Sequence, residues 1–324
     1  MKDTLLVLVP VIAIVLTSCI VLAAVIGVDG PETAAQSDSS TQAQRRTDIA
    51  KQTDQANHKS QPAVEEQRKQ AQQEAQKSLD QDAVAAVEET QKAIDAIGAN
   101  KTDEALAAIE RATGKLNILL ARNPSTALLP VDFQVSVIDT APHDHEAILD
   151  LAKDASRAVD DRDFPAARVV LHNLMSEIRV RTFTLPLATY PAALQQAARL
   201  LDQKKNQEAR DVLLTALNTL VAVDRVTPIP ILVAREAVSQ AQSEGQKDKA
   251  HAQRLLEVAR NELLRSRELG YAGRDPEYAA LNDQISNLEK QLKGNGGDLS
   301  AVYARLKDRL SAFLKRQSEH QQHA

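Results

Sequence analysis

The densest cluster of side chains able to hold a metal or move a proton is His143-Asp144-His145-Glu146. Two imidazoles at i and i+2 converge on one ion only from a loop or a strand. Pro142 precedes the cluster and an apolar stripe at helical spacing follows it, so the same residues also read as a helix start. In that reading Asp144 is the N-cap, and Glu146 sits in the first turn, where the helix dipole favours a carboxylate. The helix start is the preferred reading, and no metal is assigned. The patterns GxSxG, GxxxxGK[ST], GxGxxG and HExxH do not occur, which removes the local signatures of acyl transfer, nucleotide binding and zinc hydrolysis. Cys19 is the only cysteine, so there is no intrachain disulfide, CxxC pair or multi-thiolate zinc site. Arg111, Lys115 and Arg122 could form a basic line on a helix. Asp103, Glu104 and Glu110 are interspersed with them, and a mixed-charge solvated face is the simpler reading. His320 and His323 read as solvated tail residues. No catalytic residue and no cofactor is assigned, and the expected protein is not an enzyme.

The elements that carry these residues are set by composition and patterning. The chain has 324 residues, and 39 Lys and Arg against 44 Asp and Glu give a net charge of -5. That balance argues against nucleic acid as a partner. With 4 Tyr, 4 Phe and no Trp, stacking platforms and aromatic-rich β-sandwich cores are excluded. Leu5 to Val28 is free of charge and, at 24 residues, long enough to span a membrane. Lys2 precedes it and acidic residues follow, so the expected topology is an uncleaved membrane anchor with the N-terminus in the cytoplasm. The bulk of the chain would then lie outside the cell membrane. Leu16-Thr17-Ser18-Cys19 resembles a lipobox, so a lipoprotein acylated at Cys19 and a cleaved periplasmic form are the two alternatives. Residues 31–82 contain 12 Gln and few large aliphatics, which predicts a polar tether. Its second half, Val64 to Leu79, reads as an exposed spacer helix.

From Asp82 onward apolar residues recur at helical spacing. Three helical hairpins are expected, turning at Asn100-Lys101-Thr102, Asp160-Asp161-Arg162-Asp163 and Gln203-Lys204-Lys205-Asn206. Their second helices share a spacing of four and then seven: Ala105, Ile109, Leu116; Ala167, Leu171, Ile178; Ala209, Leu213, Leu220. Each hairpin runs into a proline flanked by aliphatics: Leu129-Pro130-Val131, Leu185-Pro186-Leu187 and Ile229-Pro230-Ile231. These read as extended apolar crossovers. Leu129, Val131, Phe133, Leu185, Leu187, Tyr190, Ile229 and Ile231 are the candidate apolar binding or oligomer surface, with packing inside the chain's own core as the competing reading. One short edge strand is expected over Val131 to Val137. A fourth pair (Ala234 to Glu244, Ala250 to Leu269) and a terminal hairpin (Glu277 to Leu292, Leu299 to Leu314) follow. The expected fold is all-α, a bundle of helical hairpins with proline crossovers. Its domains are an anchor (1–30), a tether (31–82), a helical domain (83–270) and a C-terminal hairpin with tail (271–324).

Several stretches resemble the YfdX family of bacterial envelope proteins: Asn100 to Leu106, Ala112 to Leu116, Leu119 to Pro124, Leu129 to Asp132, Leu185 to Pro191 and Thr227 to Ala234. The similarity covers about residues 80–270. It implies an α-helical, exported protein associated with acid, heat or envelope stress, and it carries over no catalytic residue. The expected function is a self-associating, chaperone-like protein that binds apolar segments of partly unfolded envelope proteins. The alternative is a scaffold for an inner-membrane complex that docks through the terminal hairpin. Carboxylates on mixed-charge faces lose their charge as pH falls, so an acid-dependent change of oligomeric state is also expected.

Overall fold

The structure, a computed structural model, describes residues 58–122, 127–245, 247–271, 275–294 and 297–320. The expected anchor over residues 5–28, Cys19 and the first part of the tether lie outside them. No helix among the described residues is long and apolar enough to cross a membrane. The elements are α1 (residues 58–78), α2 (Gln81–Gly98), α3 (Thr102–Arg122), β1 (Leu128–Asp139), α4 (His145–Asp160), α5 (Phe164–His172), β2 (Ser176–Pro186), α6 (Tyr190–Asp202), α7 (Asn206–Asn218), β3 (Val221–Pro228), α8 (Ile229–Glu244), α9 (Lys249–Glu268), α10 (Glu277–Lys293) and α11 (Ser300–His320).

The order from α2 to β3 is a helical hairpin followed by a strand, three times over. All three hairpins turn through a left-handed residue: Asn100 (φ 61°), Arg162 (φ 59°) and Lys204 (φ 63°). The hydrogen bonds match as well. Asn100, Arg162 and Lys204 donate their amides to Ile97, Val159 and Leu201, and the next amides donate to Ala96, Ala158 and Leu200. This paired closure satisfies carbonyls that a helix end otherwise leaves without partners. The small residues Ala105, Ala167 and Ala209 are buried at matching places in the second helices. The four-then-seven spacing holds only in part, because Ile178 belongs to β2 and Leu220 lies beyond the end of α7.

The expectation of an all-α fold is corrected: the described residues are mostly helical with a three-stranded antiparallel sheet in the order β1-β2-β3. The strand expected over Val131 to Val137 is β1. The other two strands were concealed by helical readings of Ile178 and Leu220. The proline triplets are not crossovers. Pro130 lies within edge strand β1, where a missing N–H is tolerated, and the register shifts between Pro130 and Asp132. Pro186 ends β2, and Pro230 occupies the first turn of α8, where its absent donor is not needed.

Two main cores flank the sheet. One joins α2, α3, α6 and α7 with Leu129, Val131, Leu185 and Leu187. The other joins α8 to α11 with Ile178 and Val64. The terminal hairpin is therefore part of a shared core and not a separate appendage. Leu281, Ile285, Leu288, Leu306, Leu310 and Phe313 are all buried in it. Helix α1 is also more than a spacer: Val64, Ala71 and Ala75, spaced seven and four apart, fall on one face and are buried. Ala71 and Ala75 pack with Val180, Phe133 and Val135 of the sheet.

The left-handed turns are sensitive to side-chain branching. Lys204→Val is expected to lower unfolding free energy by about 1–2 kcal/mol, while Lys204→Gly is tolerated; urea denaturation of the two variants is the check.

Candidate functional site

Of the eight candidate surface residues, Leu129, Val131, Leu185, Leu187, Tyr190, Ile229 and Ile231 are buried within the chain. Phe133 is half-buried against α1. The folded chain offers none of the seven as open surface, because its own hairpins and sheet cover them. The core reading of the proline-flanked segments is the one the geometry supports.

Apolar space open to solvent lies instead between α6 and α7. Ala193 and Ala216, facing across the hairpin, leave a groove of about 330 Å³. Tyr190 and Val212 complete its apolar floor, and Thr189, Thr215, Thr219, Gln196 and Asp211 form the rim. Burial pushes the Tyr190 hydroxyl up to about 12. It makes no hydrogen bond of normal geometry, and the hydroxyl proton of neighbouring Thr90 is given to the Ala86 carbonyl at 2.8 Å. Of the groove residues only Tyr190 was singled out from sequence. Ala193 and Ala216 read as ordinary helix formers, and their role depends on which helix faces which.

A second apolar surface was also missed. The α4–α5 hairpin keeps Phe164 55%, Val169 64% and Leu171 52% exposed. Leu171 takes the place that Ile109 and Leu213 occupy, buried, in the other two hairpins.

His143 to Glu146 is a helix start, as read from sequence: Asp144 accepts the Ala147 amide at 3.0 Å. The two imidazoles diverge to different carboxylates of α9. His143 Nδ1 is 3.9 Å from Glu262, and His145 Nδ1 contacts Glu268. No group of three or more metal-type ligands converges among the described residues. Beside them Arg265, 3% exposed, donates to Glu262 (3.3 Å), Asp139 (3.3 Å) and the carbonyls of Ala141 (2.9 Å) and Pro142 (3.0 Å). Burial pushes the Glu262 carboxyl up, and Arg265 opposes that shift. Tyr271 donates to Glu177 at 2.7 Å and accepts the Ser176 amide at 3.0 Å. These groups stitch α9 to the sheet and do not converge on a cleft. The basic residues of α3 are likewise paired: Arg122 and Lys115 with Asp82, Arg111 with Glu89.

The family model described as YfdX protein matches residues 86–226. Residues 86–226 form a YfdX domain. The match begins inside α2 and ends inside β3, so it spans the three hairpin-and-strand units and stops before α8, short of the residue 270 expected from sequence. A solved crystal structure of Salmonella Typhi YfdX matches at 14% identity and a TM-score of 0.31, over 46% of this chain and 91% of that one. No curated protein matches. The α6–α7 groove lies inside the YfdX domain, and the α9 carboxylates lie outside it.

Arg265→Leu strands Glu262 in the interior, and removing one partner of a buried pair costs about 3–5 kcal/mol. Without the guanidinium the main opposition to the burial that raises the Glu262 carboxyl is gone. A raised folded value gives stability that is full below the ordinary glutamate range and is lost as pH rises. Urea unfolding should therefore show the largest deficit near about pH 7 and a smaller one near about pH 4, and adding Glu262→Leu should recover part of it.

Proposed function

We propose that this chain is a non-enzymatic stress-tolerance protein of the bacterial envelope, self-associating and chaperone-like, that binds apolar segments of periplasmic proteins. The observation that carries the reading is the α6–α7 groove, with its apolar floor and hydroxyl-rich rim. A volume of about 330 Å³ is at the small end for ligand sites. It suits one or two aliphatic side chains of an extended segment and is too small for a whole helix. Exposed Phe164, Val169 and Leu171 add apolar surface for a client or a second copy. Residues 5–28 would hold the domain at the periplasmic face of the inner membrane. The scaffold alternative has less support, because the apolar residues of α10 and α11 are engaged in the chain's own core.

The test is suppression of aggregation of a heat-denatured model enzyme by the purified chain. Val212→Asp places a charge in the groove wall and should weaken suppression by about 5- to 30-fold, the effect of a 1–2 kcal/mol loss. Thr215→Leu enlarges the apolar lining and should preserve or strengthen it. Equal suppression by wild type and Val212→Asp, with both folded by circular dichroism, would remove the groove from the account.

Self-association has its own check. Sedimentation velocity at about pH 7 and about pH 4 should show a smaller species under acid; one unchanged species at both would count against charge-dependent association.

A further inference from the structure

Beyond the YfdX domain, a partly open cavity of about 180 Å³ lies between the C-terminal ends of α8 and α10 and the N-terminal ends of α9 and α11. Tyr303, in the first turn of α11, lines it. The residue is 3% exposed, and its hydroxyl has no hydrogen-bond partner among the described residues. Burial pushes that hydroxyl up from its ordinary value. A buried hydroxyl left unsatisfied carries a penalty that a bound molecule can remove. Beside it is Gly245. A Cβ at that position would lie 3.1 Å from the Ala241 carbonyl oxygen and 3.7 Å from the Tyr303 hydroxyl. The glycine thus leaves open the space next to the orphaned group.

The lining indicates which chemistry fits. Lys249 and Asp298 contribute opposite charges to the walls. Asp298 accepts the Ser300 amide at 2.9 Å, so a carboxylate already holds the α11 N-terminus that an anion would use. Gln242 and Gln291 offer both donors and acceptors, and the C-terminal ends of α8 and α10 present backbone carbonyls. Leu292 and Leu299 supply an apolar side. We propose that this cavity binds a small, neutral polyhydroxy molecule of polyol or monosaccharide size, with the Tyr303 hydroxyl bonded to a ligand hydroxyl. The site uses none of the groove residues and does not rest on the chaperone-like reading.

The full chain is titrated separately with glycerol, myo-inositol, glucose and inorganic phosphate, with saturation-transfer NMR and the thermal midpoint as readouts. At least one polyol should bind saturably, phosphate should not, and Tyr303→Phe should bind that polyol at least about tenfold more weakly. The phenylalanine variant loses only the orphaned oxygen, so it should fold at least as well as wild type. Polyols stabilise proteins generally by exclusion from the surface, so the difference in midpoint shift between wild type and Tyr303→Phe at equal concentration is the measure. Gly245→Val, which fills the space beside the hydroxyl, should also weaken binding. No saturable signal from any polyol, binding of phosphate in their place, or a Tyr303→Phe response equal to wild type would overturn the proposal.

Discussion

One guanidinium ties the sheet to the C-terminal helices. Arg265 of α9 reaches the end of β1 at Asp139 and the carbonyls of Ala141 and Pro142, the two residues that lead into the α4–α5 hairpin. A buried cation is tolerable only when its donors find acceptors, and the fixed fork of arginine meets four here. The constraint runs outward from that point. It sets where the chain leaves β1, and so where α4 begins after Asp144. It also brings His143 and His145 to Glu262 and Glu268 of α9. On the other side, Ser176 at the start of β2 donates to Asp139 at 2.7 Å, and Tyr271 closes the link to Glu177. The YfdX domain and the helices that follow it are thus coupled by polar groups at one end of the sheet, while Ile178 joins the C-terminal core from the central strand.

The three hairpin-and-strand units share a turn but not an environment. Hairpins α2–α3 and α6–α7 pack on each other and bury Ile109 and Leu213. Hairpin α4–α5 meets α9 through α4, which buries Ile148 and Ala155, while α5 buries only Ala167. Equivalent sequence therefore yields covered apolar residues in two units and bare ones in the third.

Much of the helical plan was legible in the sequence because it depends on local physics. Turn positions, the Asp144 cap and the pairs α8–α9 and α10–α11 follow from the spacing of apolar residues and from residues suited to caps. The sheet was harder to read. Ile178, Val180 and Thr182 alternate with Glu177, Arg179 and Arg181, yet Ile178 also continues a helical stripe from Ala167 and Leu171. Length alone does not separate the two periods. Glu177 and Arg179 pair with each other on that strand, but Arg181 is held by a distant partner, Asp224, bidentate at 2.8 Å, which no short window contains. The groove was illegible for the same reason: alanines specify a helix, and only tertiary packing turns two of them into an opening.

Two of the openings lie beside buried tyrosines. The chain has 4 Tyr, and they stand in two kinds of surroundings. Tyr271 links the sheet to the end of α9, and Tyr278 lies under the Arg267 guanidinium at 5.0 Å. Both have a charged partner for the ring or the hydroxyl. Tyr190 and Tyr303 are buried, but neither hydroxyl is bonded, and small residues lie beside each ring: Ala193 and Ala216 in one case, Gly245 in the other. Interiors are otherwise packed to near crystal density, so a missing side chain beside a ring leaves room that its neighbours do not fill. Space is left over at those two places, and the groove and the cavity are that space.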